Sequence, residues 1–184
     1  MSNAEPGERT RLVRDHIRFE NAHDLPSVMG TFGSSATYDD EPWDEHHVGR
    51  AAVQSFYEQL LQALPDLQIA IGKEHVGSDA VIIECTIRGT HGGTWRDLPA
   101  TGRRLEFPLC GVYTFDADGK LAGERIYYDR ATVLRQCGVF REPTSLIGRL
   151  LLFLNHPMTL LSAWLGPRPR AGAAGTAARA DGPQ

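Results

Sequence analysis

The sequence predicts an α+β fold in which a curved sheet carries helices on one face. Two observations lead there. Helical spacing of apolar residues dominates residues 7–64, and two-residue alternation with a hairpin signal dominates residues 67–129. Helices first and a run of hairpins afterwards describe an antiparallel sheet with its helices segregated to one side. A third observation narrows the choice: no period of about 20 to 50 residues repeats, which excludes a solenoid.

Each element has its own local cause. Leu12, Val13, Ile17 and Phe19 supply the apolar side of a first helix over about residues 7–22. His16 reads as a surface or half-buried member of that helix, and His23 as a cation suited to its C-terminal end. Asp24 precedes Leu25-Pro26, the pattern of an N-cap followed by proline in a first turn. Residues 34–40 read as a short strand, followed by a charged loop from Asp39 to His47 that Gly49 closes. Val53, Phe56, Tyr57, Leu60, Leu61 and Leu64 recur at steps of three and four, a clear helical stripe that Pro65 ends. Strands follow at about 67–76, 79–91 and 103–115. Val81, Ile83, Cys85 and Ile87 share one face of the second, and Leu105, Phe107, Leu109, Tyr113 and Phe115 one face of the third. Asp116-Ala117-Asp118-Gly119 is a hairpin turn into a strand at 121–129, and Gly138 suits the C-terminal end of a short helix at 130–136.

Composition bounds the function. The chain has 184 residues, 41% hydrophobic and 23% charged, with a net charge of −4. Such a chain buries a core unaided, and it presents no basic field that would attract nucleic acid. Cys85, Cys110 and Cys137 are scattered and odd in number, the pattern of a reduced, cytoplasmic protein without a disulfide framework or a zinc site. The polar stretch from Met1 to Arg11 does not read as a secretory leader.

Several short motifs then fall in a characteristic order. They are Gly49-Arg50 opening a helix, Pro65-Asp66-Leu67 after it, Gly89-Thr90-His91-Gly92-Gly93, and Ala100-Thr101-Gly102-Arg103. Asp118-Gly119-Lys120 and the run from Tyr127-Tyr128-Asp129 to Leu134-Arg135-Gln136-Cys137-Gly138 complete the set. In these motifs the chain resembles the SnoaL-like polyketide cyclases and the wider nuclear-transport-factor-2-like superfamily, with its ketosteroid isomerases and limonene-epoxide hydrolases. The resemblance implies a cone-shaped barrel, a bent sheet around an apolar cavity capped by the N-terminal helices. It also implies a homodimer paired through the sheet, and chemistry without metal or organic cofactor. Cyclases of this group use an Asp as acid/base with a His nearby, and the matching residues here are Asp129 and His91.

The residues themselves support more than one reading. His91 shares parity with Val81, Ile83, Cys85 and Ile87, so it is expected on the core side, either moving a proton in the pocket or hydrogen-bonded at a strand end. Asp129 shares a face with Tyr127 and Arg125. It is a base among aromatic rings, with Tyr127 or Tyr128 donating to an enolate, or else the N-cap of the helix at Arg130. Tyr38, Glu41 and Trp43 lie where a cavity mouth is expected, and Tyr57, Trp95 and Phe107 are expected to line the interior. His46-His47 beside Asp44 and Glu45 do not make a tetrahedral set, so no metal is expected. The expected function is acid/base cyclisation or isomerisation of a hydrophobic ketone-bearing molecule. The alternatives are a non-catalytic hydrophobic-ligand-binding domain and an epoxide hydrolase, for which Arg125 and Asp129 are a partial match.

The three expected regions are the barrel domain at 1–140, an apolar helical extension at 141–166 and a disordered tail at 167–184. Pro157 divides the extension, and each half is shorter than the roughly 20 apolar residues of a membrane span. A seal over the barrel or its dimer face, a peripheral membrane contact and a partner-protein contact are the three readings of that segment.

Overall fold

The computed structural model describes residues 6–165. The chain divides into two compact units, Met1–Arg141 and Glu142–Gln184. The expectation of a disordered tail lies outside the described residues.

The first unit opens with α1 (Pro6–Asn21) and α2 (Leu25–Thr31), followed by β1 (Phe32–Asp40) and a single 3-10 turn at Glu41–Trp43. Then come β2 (Glu45–Val48), α3 (Arg50–Ala63), β3 (Gln68–Val76), β4 (Ala80–Thr90), β5 (Arg104–Phe115), β6 (Leu121–Tyr128) and α4 (Arg130–Gln136). The local signals explain most boundaries. The Asp24 carboxylate accepts from Ser27 N at 3.2 Å and starts α2. Gly138, at φ 81°, takes the left-handed conformation just past α4.

The strands form one six-stranded sheet in the order β2-β1-β6-β5-β4-β3. It is curved and does not close. Four of its pairings are antiparallel, but β1 and β6 run parallel. The hairpin reading missed that pair because more than half of the unit's residues lie between its two strands. The charged stretch read as a loop also differs: it holds the 3-10 turn and β2, whose backbone pairs Val48 with Thr37 and Glu45 with Asp40. A sheet-edge strand needs only one ladder, so polar side chains do not prevent it.

Helix α1 packs on β3 and β4, and α3 on β1 and β2. Their apolar faces meet the inward residues of the sheet. Val13, Ile17, Val53, Phe56, Val81, Ile83, Leu105 and Leu121 form a continuous core. Inward residues alternate with outward ones along each strand. On β6 this places Glu124 and Ile126 inside and Arg125 and Tyr127 outside.

The second unit contains α5 (Leu146–Asn155) and α6 (Pro157–Leu165). Ser145 Oγ accepts from Gly148 N at 3.0 Å and caps α5. No helix among the described residues is long and apolar enough to cross a membrane.

Candidate active site

A hollow lies between the helices and the inner face of the sheet. It encloses a cavity of about 50 Å³. It is therefore a narrow slot. Phe56, Leu60, Leu64, Ile87, Trp95, Phe107 and Ile126 make most of its wall apolar. Six polar side chains interrupt that wall: Glu20, Tyr38, Asp40, Tyr113, Glu124 and Tyr128. A few polar groups converging in an apolar pocket is the usual form of a small-molecule site.

The densest polar group includes Glu20 and Glu124 of that wall. Helical spacing puts Val13, His16, Ile17 and Glu20 on one face of α1, so two ionisable residues share the face that enters the core. Tyr57 reaches the same point from α3, and Glu124 from β6. All four are almost wholly buried. His16 Nδ1 is 2.7 Å from Thr31 Oγ1, whose own proton is committed to the Val28 carbonyl at 2.6 Å. Nδ1 must therefore donate. Tyr57 OH donates to Glu124 Oε2 at 2.7 Å and lies 3.0 Å from His16 Nε2, so Nε2 donates as well. Both ring nitrogens carry protons, which makes His16 an imidazolium. Its Nε2 is 3.3 Å from Glu124 Oε2 and 3.7 Å from Glu20 Oε2.

The electrostatics agree with this proton count. Burial acts to lower the His16 pKa, but Glu20 and Glu124 outweigh it and hold it above the ordinary histidine value. Glu20 moves the other way from a solvated carboxyl. Burial pushes it up, His16 pulls against that, Glu124 adds to it, and the result is about 8. At neutral pH the cluster thus holds an imidazolium and a protonated Glu20 beside Glu124, whose Oε2 accepts from Tyr57 OH. Glu20 Oε2 has no hydrogen-bond partner. Burial also holds the phenols of Tyr38, Tyr57 and Tyr113 far above their ordinary values, so they remain neutral donors. The Cys85 thiol, pushed up to about 12 by burial, is inert.

A second polar group stands in the same wall. Asp40, at the end of β1, accepts from Arg96 and from Tyr128 OH at 3.3 Å. Arg96 also pairs with Glu45 and lies over the rings of Trp43, at 4.7 Å, and Trp95, at 5.4 Å. Burial raises the Asp40 pKa against the pull of Arg96. Asp40 Oδ1 is buried without a hydrogen-bond partner.

The residues expected from sequence divide into three groups. Tyr38, Trp95, Phe107 and Tyr128 line the hollow. Tyr57 belongs to the buried cluster, and Trp43 donates its indole N–H to Tyr128 OH at 2.8 Å. Asp129, Tyr127 and Glu41 lie elsewhere. Asp129 is exposed and accepts from Ala131 N at 2.9 Å and Thr132 N at 3.2 Å as the N-cap of α4. The Thr132 hydroxyl, with those two backbone donors, holds its carboxyl below the ordinary range, the opposite of what a base in an apolar pocket requires. Tyr127 is 44% exposed on the outer face, and Glu41 pairs there with Arg125 at 3.1 Å. The Arg125 and Asp129 pairing considered for epoxide chemistry therefore lies outside the hollow, where Arg125 bonds Asp39. His91 is wholly buried, as its parity requires, with Nδ1 3.0 Å from Thr101 Oγ1. Burial lowers its pKa, and it is absent from the wall of the hollow.

Sequence reading missed His16 as a buried group, and it missed Glu20, Asp40 and Glu124 altogether as site residues. A signal existed for two of them, the i, i+4 placement of His16 and Glu20 on an otherwise apolar helix face. Among the described residues, His16, Glu20 and Glu124 are also the group whose potential metal-ligand atoms converge, all within 4.8 Å of one another. With both imidazole nitrogens donating, a proton occupies the lone pair that a metal would need.

The comparisons with known proteins agree with this fold. The profile of the SnoaL-like polyketide cyclase family matches residues 10–137. AclR, a candidate hydroxylase from Streptomyces galilaeus, is 24% identical with a TM-score of 0.65, covering 74% of this chain and 100% of its own. A candidate SnoaL-like polyketide cyclase from Jannaschia sp. CCS1 is 17% identical with a TM-score of 0.68, covering 77% and 100%. IdmH, a candidate polyketide cyclase from Streptomyces antibioticus, is 19% identical with a TM-score of 0.60, covering 71% and 99%. No curated protein matches the chain. The matched profile runs from within α1 to the end of α4, and the chain belongs to the SnoaL-like polyketide cyclase family.

Proposed function

We propose that this protein is an acid/base cyclase or isomerase acting on a hydrophobic molecule that bears a ketone. One observation carries the reading. Two carboxyl groups enter one apolar slot beside a shared imidazolium: burial raises Glu20 to about 8, so it holds a proton at neutral pH, while Glu124 Oε2 accepts from Tyr57 OH and faces the imidazolium. A proton donor and a hydrogen-bond-accepting carboxyl set side by side in different surroundings let one site run acid and base chemistry together. Glu124 takes the proton next to the substrate carbonyl. Glu20 donates toward the carbonyl oxygen as charge develops there, and the imidazolium of His16 stabilises that charge from behind. The enolate then either attacks a second carbonyl of the same molecule, with Glu20 giving its proton to the new alkoxide, or is reprotonated at another carbon by Glu124. The acid/base role expected of Asp129 thereby passes to Glu124 and Glu20. The apolar wall selects a flat, hydrophobic substrate.

The test follows proton exchange. Wild-type protein in deuterated buffer should catalyse label incorporation next to the carbonyl of hydrophobic β-diketone probes. Glu124→Gln should lose about 100-fold or more of that rate, the usual contribution of a positioned base. A Glu124→Gln variant that exchanges as fast as wild type removes the assignment. Stoichiometric probe binding without exchange in the wild type makes the protein a ligand-binding domain instead.

A second reading rests on Asp40. Its unpartnered Oδ1 faces a site where Arg96 sits between two carboxylates, an arrangement suited to orienting water on an epoxide. Incorporation of labelled water oxygen into an epoxide probe, lost in Asp40→Asn and retained in Glu124→Gln, would favour it over ketone chemistry.

A further inference from the structure

We infer that the α5–α6 unit is a binding site for an anionic lipid surface, which it enters as a shallow pair of helices. The inference is independent of the chemistry in the hollow. Nine large apolar side chains of this unit are exposed, among them Leu146 at 86%, Phe153 at 64% and Met158 at 74%. Their placement is ordered. At 3.6 residues per turn, the six on α5 (Leu146, Ile147, Leu150, Leu151, Phe153 and Leu154) fall within one arc of about 160°. Arg149 and Asn155 border that arc, and Gly148 and the half-buried Leu152 lie opposite. On α6, Met158, Leu161 and Leu165 follow at steps of three and four and share one face.

Length decides how such helices meet a bilayer. Ten residues extend about 15 Å, half of the roughly 30 Å hydrocarbon core, and Pro157 prevents the two helices from becoming one. The unit cannot span. An apolar face of leucine and phenylalanine bordered by arginine suits a helix lying about 5 to 10 Å deep in the headgroup boundary.

Charge selects lipid over a second copy of the chain. Residues 143–184 contain four arginines and one aspartate, a balance of +3, whereas the whole chain carries −4. The preceding residues therefore hold −7, and the positive charge falls in the stretch of sequence that carries and follows the apolar helices. A two-fold contact through these helices would bring two cationic segments together. A surface of anionic headgroups satisfies both the apolar face and the arginines.

Sedimentation of the full-length protein with vesicles tests this. Vesicles of phosphatidylcholine mixed with phosphatidylglycerol should carry the protein down. Phosphatidylcholine alone should bind it at least about tenfold more weakly, and added salt should release it. The double variant Leu150→Asp/Leu154→Asp changes only exposed positions. It should keep the wild-type circular dichroism and lose at least about tenfold in binding, on the order of one buried leucine or more. Absence of binding to phosphatidylglycerol vesicles overturns the inference, as does equal binding by the variant. A concentration-dependent dimer abolished by the variant, without vesicle binding, assigns the face to a second copy instead.

Discussion

Replacing Glu20 by glutamine isolates the free energy of the proton held in the buried cluster of α1, α3 and β6. Glutamine has nearly the shape of a protonated glutamic acid and cannot ionise. In the wild type, Glu20 binds its proton up to about pH 8 when folded and releases it near 4.5 when unfolded. The native state thus binds more protons throughout that window, and stability falls as pH rises through it. The contribution is intact below 4.5 and fully lost above about 8. At about 1.4 kcal/mol per pH unit, the loss is about 3 kcal/mol by pH 7 and about 5 kcal/mol at the upper end. His16, also raised, adds a slope of the same sign above its ordinary value, and loss of Glu20 weakens it. Asp24, Asp66 and Asp129, held low by hydrogen bonds, act at acid pH and are common to both chains, so they cancel in the difference. Urea unfolding followed by tryptophan fluorescence, in steps from about pH 4.5 to about pH 9, measures both curves. The expected result is near equality at the acid end and a variant more stable by several kcal/mol at the alkaline end. Parallel curves would refute the claim that Glu20 keeps a proton at neutral pH, and the acid of the proposed mechanism with it.

Asp129→Ala removes the cap of α4, and we expect a melting temperature lower by about 2–4 °C with deuterium exchange per folded molecule unchanged. A loss of exchange beyond the loss of folded protein would return this residue to the chemistry. Gly93→Ala tests the strap that carries Trp95 over the end of α3, where Gly92 N and Gly93 N donate to the Ala63 carbonyl at 3.0 and 3.2 Å. A Cβ there would lie 2.2 Å from the Gln62 carbonyl oxygen, so the strap must shift, at a cost of about 1–3 kcal/mol in urea unfolding.

Much of the fold was legible because its signals are local. Asp24 caps α2 as its position before Leu25-Pro26 suggests, and the stripe through Val53, Phe56 and Tyr57 is the buried face of α3. Alternation on β4 correctly placed Val81, Ile83, Cys85, Ile87 and His91 inside. The site was less legible for two reasons. Alternation grouped Asp129 with Arg125 and Tyr127, and that grouping is right, but it does not say which face looks inward. The charges around Glu45 obscured β2, whose pairing depends on β1 rather than on its own composition.

From residue order alone came the class of fold, the periodicity of each element, the caps and turns, and the family resemblance that the profile match establishes. These depend on neighbours a few positions apart, where backbone geometry ties spacing to direction. Only the folded chain decided that His16 and Glu20 of α1, Tyr57 of α3 and Glu124 of β6 meet at one point. The proton states of His16 and Glu20 follow from that meeting, because burial and a neighbouring charge shift a group only once the chain has removed it from water and brought the charge beside it.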